Sequence, residues 1–109
     1  VGGDLDAVVE RIAVSGGAGD SLLQQAREAG ADVFLTADLR HHPASEHLEN
    51  GRPYLLCGTH WATEWVGLPP LAQRLEEDAR SRGASLKVQV SHIVTDPWVL
   101  RLSTGSDRA

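Results

Sequence analysis

The chain has no methionine, one cysteine and only 10 basic residues against 15 acidic ones in 109 positions. Each scarcity excludes something. A formal charge of -5 and a pI near 5.4 argue against a nonspecific nucleic-acid binder, which displays a clustered basic surface. No apolar run approaches the roughly 18 residues that span a bilayer, so no membrane partner is expected. Cys57 alone cannot form an internal disulfide, and the first residues lack the basic-then-apolar pattern of a secretory signal, so a cytoplasmic setting is expected. The missing methionine, the initiator included, and the start at Val1 lead us to expect a piece of a longer chain.

What is present is ordinary for a globular domain: 41% hydrophobic and 23% charged residues, in a length that suits a single domain. Apolar stretches of strand length alternate with segments of helical period, each switch marked by glycine or proline. The pattern predicts a strand over 11–15, a glycine turn over 16–20 and a helix over 21–29 with Leu22, Leu23 and Ala26 on one face and Gly30 as its stop. Val33, Phe34, Leu35 and Thr36 form a continuous apolar run, as in a parallel strand buried on both faces. Pro43 is placed first in a helix that ends at Asn50-Gly51. A third strand is expected over 54–57. Thr59 is a plausible N-cap for the helix that follows, Pro69-Pro70 a break, and Leu71 the restart of a helix closing at Gly83. Leu86, Val88 and Val90 alternate with polar residues and predict a strand with one wet face. A short last strand is expected over 98–102.

The expected fold class is therefore α/β: three layers, a mainly parallel sheet of 4-5 strands and helices on its faces. It occupies 1–102 as a single domain, with a disordered tail over 103–109. Ligands of such sheets bind at the C-terminal ends of the strands. That rule puts 16–20, 36–42 and 58–64 on one rim.

On this rim His60 and Glu64 stand four residues apart on a predicted helical turn, with Cβ atoms about 5 to 6 Å apart on one face. An imidazole nitrogen and a carboxylate at this spacing can hold one metal or bridge two, with zinc, manganese or iron suited to the donors. From spacing alone, a plain surface His-Glu hydrogen bond is the commoner reading, and the position after a buried strand favours a site. His41 and His42 follow the second strand, between Asp38 and Glu46-His47, either as site residues or as solvated residues with an N-cap-like His42. The turn Ser15-Gly16-Gly17-Ala18-Gly19-Asp20-Ser21 reads as an anion cradle or as a tight turn bringing backbone close to the rim. It lacks the lysine of a P-loop and the third glycine of a dinucleotide fingerprint. Cys57 reads as a small apolar filler, and Ser21 and Ser45 have no base nearby, so a serine or cysteine hydrolase is disfavoured. Trp61 and Trp65 share a helical face for core or partner packing, and Trp98 after Pro97 reads as packing.

Three segments in order resemble a known family: Arg11-Ile12-Ala13-Val14-Ser15-Gly16-Gly17-Ala18-Gly19-Asp20, then Ala31-Asp32-Val33-Phe34-Leu35-Thr36-Ala37-Asp38-Leu39-Arg40-His41-His42, then His60-Trp61-Ala62-Thr63-Glu64, with Thr95-Asp96-Pro97 at the end. Together they resemble the C-terminal half of the NGG-interacting-factor-three-like family, also catalogued as GTP cyclohydrolase 1 type 2 homologues and dinuclear metal-centre hexameric proteins. The resemblance implies a paired divalent-metal site made of an N-terminal histidine pair, an aspartate, and a C-terminal histidine and glutamate. The last two correspond to His60 and Glu64. The N-terminal ligands have no counterpart here. His41-His42-Pro43 looks like the family's N-terminal ligand motif, but its context after Thr36-Ala37-Asp38 assigns His41 and His42 to the pocket wall. Ala37 stands where the family has glycine, and Thr59 separates Gly58 from His60; both leave the ligand spacing intact.

The resemblance implies a metal-dependent hydrolase module with two ions per complete site, in which metal-activated water attacks a purine nucleotide and His41 or His42 carries protons. It also implies a homo-oligomer, hexameric in the family. A different class of function, a noncatalytic oligomeric metal-binding protein, places Trp61 and Trp65 at subunit contacts.

Overall fold

The computed structural model describes residues 1–100. Three strands, β1 (Ile12–Ala18), β2 (Val33–Ala37) and β3 (Tyr54–Gly58), form a parallel sheet in the order β1-β2-β3. The helix α1 (Leu23–Glu28), preceded by a 3-10 turn at Asp20–Leu22, joins β1 to β2, and α2 (His41–Glu49) joins β2 to β3. After β3 come α3 (His60–Trp65) and α4 (Leu68–Ser81). Strand–helix–strand units with neighbouring strands in sequence order are the expected parallel α/β arrangement.

β2 is the central strand and the most buried, as its continuous apolar run requires. Ala13, Phe34 and Leu55 lie side by side across the three strands and pack against Leu23 and Ala26 of α1 and Ala44 and Leu48 of α2. Phe34 is 2% exposed, a burial that contributes about 1.5 to 3 kcal/mol. On the opposite face Ile12 and Val14 remain 60% and 72% exposed. α1 closes with the hydrogen-bond pair of a glycine C-cap, Gly30 N–H to Arg27 O and Ala31 N–H to Ala26 O, and Gly30 takes φ +68.

Several boundaries differ from those the sequence suggested. β1 runs three residues past Ser15 because the glycines continue as an irregular strand: Val14 pairs with Leu35 and Ala18 with Ala37, so β1 carries extra residues over the same stretch of β2. Pro43 lies inside the first turn of α2, and Pro69 and Pro70 inside the first turn of α4. No intrahelical donor is needed there, so the chain breaks earlier, at Val66-Gly67.

The sheet has three strands among the described residues, against the 4-5 expected. The alternation at 86–90 forms no backbone ladder: the half-buried Val88 and Val90 line a small groove together with Leu68, Leu71 and Leu75 of α4. The strand expected over 98–102 is not formed at 98–100, and the rest of it, like the tail over 103–109, lies outside the described residues. Among the described residues, no helix is long and apolar enough to cross a membrane.

Candidate functional site

The C-terminal ends of β1 and β2 and the start of α3 converge on His60. Thr59 caps α3 by accepting from the Ala62 N–H at 3.4 Å, and Asp96 Oδ1 accepts from the Trp61 N–H at 3.1 Å. Two of the free N–H donors of the first turn are thereby satisfied, by residues 37 positions apart in sequence. On the exposed side of this turn His60 Nε2 faces Glu64 Oε1 at 3.1 Å. The other ring nitrogen, Nδ1, donates to Asp38 Oδ2 at 2.6 Å. The His60 side chain is 44% exposed and both carboxylates 56%, so the triad is open to solvent.

Asp38 is the residue immediately after β2 and has φ +53. Aspartate tolerates this left-handed conformation better than most residues, and it swings the carboxylate toward α3. The hydrogen bond to Asp38, opposed by desolvation and aided by the charge of Glu64, raises the His60 pKa above its ordinary 6.5. A carboxylate on Nδ1 also fixes the tautomer and ring orientation, the usual support of a metal-ligating histidine.

The glycine turn packs directly against this pair. A Cβ on Gly17, whose φ is +68, would stand 2.6 Å from Glu64 Oε1 and 3.0 Å from His60 Nε2. Gly17 also donates its N–H to Thr63 Oγ1 at 3.0 Å, and its carbonyl accepts from the buried Thr36 hydroxyl. Gly19 donates to Ala37 O. With the Gly17 and Gly19 amides engaged inside the protein, the geometry favours the tight-turn reading over the anion cradle: side-chain-free backbone packs against the two side chains. Asp20 is likewise occupied, accepting from the backbone N–H and Nε of Arg40.

His41 and His42 begin α2, both exposed, with their rings edge to face at 5.2 Å. They share the rim with His60 but do not line the cleft beside it. The N-cap of α2 is Arg40, so His42 has no N-cap role. Cys57 is exposed and so is not the apolar filler expected. Trp98 is 72% exposed, against the packing role expected. Trp61 and Trp65 stack at 5.6 Å and 27°, and Trp65 Nε1 donates to Ser91 O at 2.7 Å, tying the segment after α4 to α3.

Sequence spacing points to His60 and Glu64 and to a tight glycine turn near the rim, but gives no contact of Asp38, Gly17 or Thr63 with that pair. Their only signal was position: each lies where a buried parallel strand ends or where a helix begins against it.

A family model described as Duf34/NIF3 (NGG1p interacting factor 3) matches residues 1–97. The chain belongs to the DUF34/NIF3 family. Among relatives, a Streptomyces coelicolor protein named "GTP cyclohydrolase 1 type 2 homolog" is 49% identical over 104 residues, 95% of this chain and 36% of that protein. A Mycobacterium tuberculosis protein of the same name is 48% identical over 108 residues, 98% of this chain and 27% of that one. The crystal structure of a Bacillus cereus protein related to NIF3 matches with TM-score 0.76 at 29% identity, and that of a Staphylococcus aureus protein with TM-score 0.79 at 32%. Each match covers 91% of this chain, and 27% and 28% of those chains respectively. This DUF34/NIF3 chain thus spans about a third or less of the relatives it matches.

Among its described residues no group of three or more His, Cys, Asp or Glu could by itself hold a metal ion. A zinc site usually takes three or four protein donors. The DUF34/NIF3 chain therefore fits a share of such a site: two donors, one oriented by a carboxylate and both kept clear by a glycine.

Proposed function

We propose that this chain is a metal-dependent hydrolase module that contributes His60 Nε2 and Glu64 to a dinuclear site for divalent ions, zinc, manganese or iron, and acts on a purine nucleotide. The observation that carries the reading is the Asp38–His60–Glu64 alignment: Nδ1 is held at 2.6 Å while Nε2 and Oε1 stand together at 3.1 Å, open to solvent. A structural ion pair on a surface helix needs no third group to fix the ring. When bound, divalent ions supply Lewis acidity, which polarises a carbonyl or phosphoryl oxygen and acidifies water.

The chain's own residues do the rest. Asp38 holds the tautomer that leaves Nε2 as donor, Gly17 keeps side-chain atoms out of the space before the pair, and Thr63 fixes Gly17 there. His41 and His42, exposed on the same rim, carry protons to and from solvent. The remaining donors come from outside the described residues, in keeping with the small share of the relatives that the chain spans. The relatives' name, "GTP cyclohydrolase 1 type 2 homolog", supports the nucleotide class. The setting is cytoplasmic.

A homo-oligomer, of hexameric type, is part of this reading. The apolar β1 face, with Ile12 and Val14 largely exposed, favours burial against further protein. That same face supports the second reading, a noncatalytic oligomeric metal-binding protein. Incubating the metal-loaded full-length protein with GTP separates the two: release of pyrophosphate or a ring-opened base supports the hydrolase, and no turnover over a nucleotide panel supports the noncatalytic protein.

A further inference from the structure

A cleft of about 310 Å³ lies between the start of α3 and segment 95–98, bordered by Asp38, His60, Trp61, Asp96 and Trp98. Its size is at the small end of ligand sites, which run from about 300 to 1,000 Å³. Three features of its walls have no use in holding a metal. Trp61 is kept in place from behind by its stack on Trp65, itself anchored to Ser91 O. Trp98 reaches the cleft from a different segment and leaves 72% of its surface in water. Asp96 is half-buried; its Oδ1 accepts from Trp61 N–H, and its Oδ2 has no hydrogen-bond partner among the described residues.

We infer that this cleft binds the base of the nucleotide, stacked against Trp61 and Trp98 with ring N–H donors of guanine type on the Asp96 carboxylate. The inference rests on the nucleotide reading above and adds the residues that select the base. Flat heteroaromatic rings of any identity gain from stacking on indole. The carboxylate supplies the choice. An ionised aspartate only accepts hydrogen bonds. The Watson–Crick edge of guanine presents N1–H and an exocyclic amino group side by side, whereas adenine presents an acceptor at N1, which a carboxylate repels. Because His60 and Asp38 border the same cleft, a base held there lies beside the proposed donors. The scaffold is in place before the ligand arrives, since Asp96 is fixed by the helix it caps and Trp61 by its stack, so little ordering is left to oppose binding.

The test is calorimetric titration of the full-length protein with guanosine and with adenosine, with the metal content of each sample measured in parallel. Guanosine is expected to bind more tightly than adenosine. Trp98→Ala, at an exposed position the fold does not need, weakens both nucleosides about tenfold through lost stacking. Asp96→Asn keeps an oxygen to cap Trp61 N–H, so α3 retains its first turn, yet removes most of the preference for guanosine. Equal affinity for the two nucleosides, or guanosine binding unchanged in Trp98→Ala, overturns the inference. Preparations that lack metal but keep this pattern support the base site while refuting the metal reading. Metal-loaded protein without the pattern refutes the base site alone.

Discussion

Asp38 and His60 meet across 22 residues of sequence, the carboxylate at the end of β2 accepting from the ring Nδ1 at 2.6 Å. The contact exists because parallel strands deliver their following residues to one edge of the sheet, and because Asp38 adopts φ +53. It fixes the ring of His60 beside Glu64, the pair proposed as metal ligands. Removing such a support costs roughly 10- to 100-fold in metal affinity. Asp38→Ala in the full-length protein should lose affinity in that range in a competitive chelator titration, with Asp38→Asn recovering part of it, because the amide oxygen still accepts from Nδ1.

Two glycines at positive φ, one in β1 and one after α2, make separable predictions. Gly17→Ala places a Cβ 2.6 Å from Glu64 Oε1 at φ +68, so it should lower metal content and destabilise the fold by about 1 to 3 kcal/mol. Gly51 has a similar φ of +81 but nothing within 4 Å of a Cβ. Gly51→Ala should therefore cost about 1 kcal/mol and leave metal content untouched. Urea unfolding and metal analysis of the two variants check the pair.

His47 is the one buried histidine among the described residues, 8% exposed, with Nε2 2.8 Å from Pro53 O and Nδ1 3.0 Å from Arg27 Nη2. Because Arg27 can only donate, Nδ1 accepts and Nε2–H donates to the carbonyl. His47→Ala leaves both partners without the ring. It should cost about 1 to 3 kcal/mol in urea unfolding, with no loss of metal, which separates a structural histidine from His60.

Asp32 gives the fold an acid limit. It accepts from the backbone N–H groups of Arg11 and Glu10 and pairs with Arg52, which together lower its pKa from 3.8 to about 2. A folded-state pKa below the unfolded one means that the stabilisation is complete above about pH 4 and disappears as pH falls through about 2. The difference in urea midpoint between wild type and Asp32→Asn should be constant from neutral pH down to this window and shrink within it. A difference that instead grows on acidification would reverse the assignment.

His60 and Glu64 were legible in the sequence because i,i+4 spacing and a preceding apolar strand are local signals. The three strands and the alternation with helices were legible for the same reason. What the sequence hid was everything that depends on which segments meet. Leu86, Val88 and Val90 alternate as a strand does, but no strand forms: Val88 and Val90 line a groove beside α4 and Leu86 is 48% exposed. The glycine run reads as an anion cradle or a tight turn, and only the partners of its amides, Thr63 and Ala37, favour the second. Cys57 ends an apolar strand yet is exposed, since burial of a strand end depends on what covers the rim. Asp38 lies in a segment that carries the family resemblance, but its contact with His60 depends on the turn after β2.

The central claim is that His60 and Glu64 are metal donors. Metal analysis of the full-length protein beside His60→Ala and Glu64→Ala, each checked for native circular dichroism, tests it most directly. Bound divalent metal is expected in the wild type, with a clear loss in both variants. Unchanged metal content in both would contradict it and return the pair to a surface hydrogen bond.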